Sequence, residues 1–241
     1  MKNLFKQAFT YKDSNCTLVA DRQEGIKAAQ ESIKHHRTQL EEYLSTHPKF
    51  GWTLKPFPAP EKPLVAKLMA EAGQNANVGP MAAVAGVLAD LAVKDMIAAC
   101  CEVAVVEDGG EVSAVSDVPI DVAFAAGEEL LSRRFGFRLC EFPVGVATSS
   151  GRFSHALSFG DAEAATVFCG HAGLADAAAT AVGNVVKGED PNAGIQFGID
   201  VAKSIAGVEG VLIVYKGCVG TWGKIPQIIR IDQKNTDGDL F

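Results

Sequence analysis

Residues 170–184, GHAGLADAAATAVGN, constrain the fold more than any other stretch of the chain. The run is rich in alanine, which predicts a helix over residues 172–186. Asp176, Thr180 and Asn184 stand four apart, so they share one side of that helix. Gly173, Ala177 and Ala181 form a second stripe beside them with almost no side chain. A carboxylate and a hydroxyl one turn apart, flanked by small residues, let a ligand or another backbone come close. Two hard oxygens at that spacing can share one Mg²⁺ or Ca²⁺. Tight packing alone, with the Asp and Thr solvated or bonded back to the helix, is the alternative.

A second stretch of the same kind lies upstream. Residues 78–99, VGPMAAVAGVLADLAVKDMIAA, predict an apolar, closely packed helix with Pro80 at its first position, after Gly79. The polar residues Gln74, Asn75 and Asn77 precede it. Free amides at that start would suit an anion, and a plain core helix is the competing reading. AGVLADLA (85–92) and AGLADAAA (172–179) resemble each other, and strands flank both. The repeat suggests two related α/β halves with a site at their junction, unless it reflects shared composition alone.

The rest of the chain supplies strands, helices and turns. Residues 1–13 suggest a first strand and residues 16–20 a second, followed by an amphipathic helix over 22–45. Residues 47–63 contain five prolines and read as an internal loop between that N-terminal strand-helix segment and the main body, with Trp52 and Phe57 as its anchors. A helix follows over 64–72, and GQNAN should break it. Asp108-Gly109-Gly110 between β-rich runs signals a hairpin whose glycines let a ligand lie against the backbone. Residues 144–154, VGVATSSGRFS, run from a strand into a Ser/Gly loop, where Thr148, Ser149, Ser150 and Gly151 offer hydroxyls and amides for an oxygen-rich ligand. His155 follows at once, and His171 stands where the focal helix begins.

Composition limits the functional classes. The net charge of −7 argues against a nucleic-acid binder that works by neutralising phosphates, though not against a nucleotide. None of the six cysteines forms a C-x-x-C pair, so no zinc site is expected. Most lie in apolar runs, which suits a reducing cytoplasm. The N-terminus has no apolar signal core, and no run reaches membrane-spanning length.

The ordered motifs carry a family resemblance. The chain holds G-V-L-A-D (86–90), D-G-G (108–110), A-T-S-S-G (147–151), His155 and A-D-A-A-A-T-A (175–181). This series resembles the ApbE-type flavin transferases. V-G-P-M-A-A-V-A-G, T-S-S-G and S-H-A-L-S-F-G-D-A together resemble a small family related to ApbE. The resemblance implies an α+β fold of two intertwined T-fold-like halves with antiparallel sheets, forming a single unit over residues 1–241. It implies cleavage of FAD with a divalent metal, Mg²⁺ or Ca²⁺, and transfer of FMN to a hydroxyl of an acceptor protein. The metal ligands would fall on Asp176 and Thr180, helped by backbone carbonyl near the first small-residue helix. Gly79, Gly109, Gly110, Thr148, Ser149, Ser150 and Gly151 would line the flavin or nucleotide site. His155 would be the general base, or else a hydrogen-bonded structural residue. The chain departs from the family pattern at Ala85, where ApbE enzymes carry Lys, and after His155, where ALSFG replaces the family's I-I-D-P. A flavin or nucleotide carrier without chemistry, and a structural component of a homo-oligomer, are the other readings.

Overall fold

A computed structural model describes residues 2–123, 135–150 and 160–230. Its centre is an eight-stranded sheet in which every neighbouring pair is antiparallel. Strands β1 (Phe5–Tyr11), β2 (Ser14–Ala20), β3 (Ala104–Asp108) and β4 (Glu111–Val115) form one half in chain order. Between β2 and β3 lie α1 (Gln23–Thr46), α2 (Pro48–Trp52), α3 (Leu64–Ala76), a short 3₁₀ turn (Pro80–Ala83) and α4 (Val84–Ala98). A small sheet of β5 (Ile120–Ala123), β6 (Phe135–Leu139) and β11 (Gln227–Arg230) stands apart from the large one. The second half repeats the first: β7 (Val144–Ser149), β8 (Ala164–Cys169), α5 (Ala172–Val185), α6 (Pro191–Ser204), β9 (Val208–Tyr215) and β10 (Cys218–Gly223). Its strands also follow chain order, and β4 pairs with β7 to join the halves. Each half thus runs two strands, helices, two strands, which is compatible with the T-fold-like halves expected.

Alternation along the strands sorts residues onto two faces. Ala147, Ala165, Val167, Val211 and Ile213 pack beneath α3, α5 and α6. Leu18, Ala20, Ala104 and Val106 pack beneath α1 and α4. The opposite face carries Val105, Val112, Val146, Phe168 and Leu212, covered by Ile120, Val122, Phe137 and Leu139 of the small sheet. Each large side chain fully buried this way contributes roughly 1.5–3 kcal/mol. Among the described residues no helix is long and apolar enough to cross a membrane.

Three local expectations are corrected. The proline-rich segment contains α2, with Pro48 at its start, and its anchor is Phe50 rather than Trp52. Phe50 is fully buried between Tyr43 and Phe57, whereas Trp52 is 68% exposed. The helix expected to break at Gly73 continues to Ala76, because Gly73 lies against the carbonyl of Val78 and the left-handed turn falls on Asn77. The single helix expected over 78–99 is divided into the 3₁₀ turn and α4.

Candidate functional site

The two small-residue helices, α4 and α5, cross at their first turns. A Cβ on Gly86 would lie 2.2 Å from the carbonyl oxygen of Ala172, and one on Gly173 would lie 2.5 Å from Cγ2 of Val87. Neither helix has a capping side chain from its own N-cap residue. His171, at the N-cap of α5, is exposed. Each helix is capped instead by an aspartate of the other. Asp90 of α4 accepts the amides of Ala172 and Gly173, both at 2.9 Å, and the Ser113 hydroxyl at 2.7 Å. Asp176 of α5 accepts the Gly86 amide at 3.1 Å, and the Ala85 amide also stabilises its charge. Such bonds satisfy the orphan amides of a helix start and place negative charge where the helix dipole favours it.

The position of α5 sets the height of its functional face. A Cβ on Gly145 would lie 2.2 Å from the amide nitrogen of Ala172, so α5 starts directly above the start of β7. Both then run in the same direction, since each is antiparallel to or returns from β8. Four helical residues and two strand residues each advance about 6 Å. Asp176 therefore stands about level with Ala147, and Thr180 about level with Ser149. The β4–β7 register sets Val112 opposite Val146. Continued by one residue, it brings Glu111 beside Ala147, and continued further it brings the Gly109–Gly110 turn beside Thr148 and Ser149. Glu111 shares the helix-covered face with Ser113, two residues on, whose hydroxyl reaches Asp90.

Glu111 and Asp176 therefore stand near each other on the helix-covered face of the sheet, where the Asp176 charge acts on Glu111. Burial raises the Asp176 carboxyl to about 7, against the Gly86 and Ala85 amides that lower it, and the charges of Asp108 and Asp90 push the same way as burial. Burial also lifts Glu111 well above the usual carboxylate range, with the Asp176 charge as the next cause. Glu107 and Asp108, on the neighbouring strand, are raised by burial as well. Among the described residues no three His, Cys, Asp or Glu side chains gather as a metal-binding group.

The structure brings some of the predicted site residues together and separates others. Asp176 and Thr180 lie half-buried on α5. Gly109 and Gly110 make the β3–β4 turn, both at positive φ, with the Gly110 amide donating to Glu107 Oε1 at 2.8 Å. Ser149 ends β7 and Ser150 follows it, each 8% exposed, and the Ser150 hydroxyl is buried with no hydrogen-bond partner among the described residues. Thr148 turns to the opposite face of the sheet, where its hydroxyl meets that of Thr166 at 2.9 Å. Gly79 is buried beneath the proline-rich segment: a Cβ there would lie 1.9 Å from the Thr53 carbonyl oxygen. Gly151 and His155 lie outside the described residues. Near α4 it is backbone amide, from Gly86, that faces Asp176. Sequence reasoning did not single out Glu111, although its place one residue after the D-G-G turn was a usable signal.

A family model described as AbpE bacteria matches residues 3–201. The chain belongs to this ApbE-like family. The ApbE-like chain is 37% identical over 243 residues to a UPF0280 protein of Methanococcus vannielii, covering 99% of itself and 98% of that relative. It is 37% identical over 233 residues to a UPF0280 protein of Methanosarcina acetivorans, covering 95% of itself and 91% of the relative. Its fold matches the flavinyl transferase ApbE of Pseudomonas stutzeri, apo form, with a TM-score of 0.63 at 15% identity, over 92% of this chain and 94% of that one. The ApbE protein of Thermotoga maritima matches with a TM-score of 0.56 at 12% identity, over 97% and 98% of the two chains. At these identities the solved structures establish that the ApbE-like chain shares their fold.

Proposed function

We propose that this protein is a metal-assisted transferase that acts on FAD or a related nucleotide pyrophosphate and passes the FMN portion to a hydroxyl of an acceptor protein. The reading is carried by one observation: Glu111 and Asp176 are neighbouring half-buried carboxylates, each raised by desolvation, and the continued β4–β7 register sets the Gly109–Gly110 turn and Ser149 at the same end of the sheet. Burying two such charges side by side is costly unless a proton or a cation compensates them. The donors present, carboxylate and hydroxyl oxygens, fit a hard divalent cation such as Mg²⁺ or Ca²⁺. Mg²⁺ commonly uses one or two carboxylates and fills its shell with water and phosphate oxygens, so a cage of three acidic side chains is not required. The Ser150 hydroxyl, without a hydrogen-bond partner among the described residues, is a further oxygen at the same end of the sheet.

Asp176 and Thr180 would hold the ion, which would supply charge neutralisation of the pyrophosphate and Lewis acidity. The Gly109–Gly110 turn, Ser149, Ser150 and Gly151 would line the phosphate path, with amides and hydroxyls donating to phosphate oxygens. A ring nitrogen of His155 would take the proton of the acceptor hydroxyl as its oxygen bonds to the FMN phosphorus and AMP leaves. The six cysteines are all unpaired, which supports a cytoplasmic setting.

The test is FAD binding with and without Mg²⁺, by flavin fluorescence and calorimetry, followed by an assay for AMP. Metal-dependent binding with AMP release is expected, and Asp176→Ala should abolish both while the protein stays folded. A second reading, a carrier that kept the site and lost the reaction, is favoured by Ala85, where ApbE enzymes carry Lys. Binding without AMP release would decide for the carrier, and no binding of FAD or metal would remove both.

A further inference from the structure

We infer that Asp90 is a positioning residue for the Asp176 site, acting through the start of α5 and through β4. The inference rests on the reading of Asp176 as a metal ligand. Asp90 touches three elements at once. Its own helix, α4, carries the Gly86 amide that orients Asp176. Its Oδ1 accepts Ala172 N–H and its Oδ2 accepts Gly173 N–H, which fixes the first turn of α5. Its Oδ1 also accepts the Ser113 hydroxyl on β4, the strand that carries Glu111 on the same face. One carboxylate therefore ties together the three segments that bring Gly86, Asp176 and Glu111 to one place.

At that end the α5 backbone packs closely against Gly86, Val87 and Gly145, and Asp90 supplies the side-chain hydrogen bonds that fix its direction. Its N-cap residue offers no side-chain bond, and its first turn is small and apolar apart from the backbone itself. Asp176 follows Gly173 by three residues, less than one turn, so a tilt or slide of that turn moves the Asp176 carboxylate directly. Helix propensity alone does not set where such a helix begins. Asp90 itself stays off the site: its oxygens are engaged by two amides and a hydroxyl.

Asp90→Asn is the direct test. The amide oxygen can keep the partners of Oδ1, but an NH₂ in place of Oδ2 would face Gly173 N–H, donor against donor. Mn²⁺ binding is read by electron paramagnetic resonance on the folded protein, with Tm measured alongside. We expect the Mn²⁺ affinity of Asp90→Asn to fall about tenfold or more, as for other residues that orient metal ligands without touching the metal. Val93→Ala, on the α4 face packed against α1 and β3, serves as a control. It should lower Tm and leave Mn²⁺ affinity unchanged, which separates positioning from general destabilisation. Ser113→Ala removes one of the three donors and should weaken Mn²⁺ by about threefold. It decides the matter if Asp90→Asn does not fold. Wild-type affinity in the folded Asp90 variant, or in Ser113→Ala where that variant is the one available, overturns the inference and leaves the metal site standing. Equal weakening by Val93→Ala overturns it too. No Mn²⁺ binding by the wild-type protein would bring down the metal-site reading, and this inference with it.

Discussion

Asp90 and Asp176 hold equivalent places in the two halves of the molecule, yet their surroundings differ in kind. Each sits on a thin helix, four or three residues after a glycine at the helix crossing, and each caps the other's helix. The groups bonded to Asp90 are donors: two amides and the Ser113 hydroxyl. Asp176 accepts the Gly86 amide and stands among several carboxylates: Glu111 on β4, Asp108 on β3 and Asp90 itself. The same helix-capping device is thus complete on one side and left with excess negative charge on the other. On the reading proposed above, a duplicated frame would hold one copy as structure while the other takes a ligand, because the cap already fixes the helix and only the surroundings need to change.

The strongest way to break the comparison is at the crossing itself. Gly86→Ala would drive a methyl to 2.2 Å from the backbone oxygen of Ala172, which cannot rotate away. We expect a loss of more than about 3 kcal/mol in stability, or no soluble protein. Gly173→Ala meets Cγ2 of Val87 at 2.5 Å, a side chain that can shift, so its cost should be nearer 1–2 kcal/mol. Urea denaturation of both variants measures the gap. Equal losses would mean that the two helix starts are equally confined, against the contacts described.

The aspartates should then separate by sign. Asp90→Asn removes a fully used acceptor and should destabilise the protein by about 2 kcal/mol. Asp176→Asn should stabilise the metal-free protein by about 1–2 kcal/mol at pH 8, since it removes a charge that burial opposes and keeps an oxygen for the Gly86 amide. The pH dependence follows from the same fact. An acid with a folded pKa near 7 and an unfolded value near 4 holds its proton more tightly when folded, so its contribution to stability declines as pH rises from about 4 to about 7. Chemical denaturation of the wild type in EDTA should show that decline, and Asp176→Asn should flatten it. A variant as pH-dependent as the wild type would place the raised carboxyl elsewhere.

Much of this frame was legible in the sequence, for physical reasons that also mark where legibility stopped. The spacing of Asp176 and Thr180 fixed their shared helical face, and the AGVLAD and AGLAD strings announced two helices of one kind. The D-G-G turn signalled the β3–β4 hairpin, and the antiparallel sheets came from the family resemblance rather than from the strands themselves. Spacing along a chain tells which residues share a face but not what that face meets. Asp90 and the amides it caps are more than eighty residues apart in sequence. Glu111 reads from sequence as an ordinary residue beside a turn, and only the β4–β7 register brings it under α5. The choice of Phe50 over Trp52 as anchor depended on α2, which Pro48 at its first position could have signalled.

The smallest effect concerns a residue whose direction the strand alternation does fix. Ala147 and Ser149 face the helices, so Thr148 between them must face the other way. It does so, meeting Thr166 at 2.9 Å among the residues that pack against the small sheet. Thr148→Val keeps the shape and the strand preference while removing one hydroxyl, which leaves Thr166 buried without that partner. Stability should fall by about 1 kcal/mol. Flavin and Mn²⁺ affinity should stay within twofold of wild type, whereas Ser149→Ala, on the face beneath α5, should weaken them. A clear loss of ligand affinity in Thr148→Val would show that the site extends through the sheet to its far face, and the contrast between the two faces would then have to be abandoned.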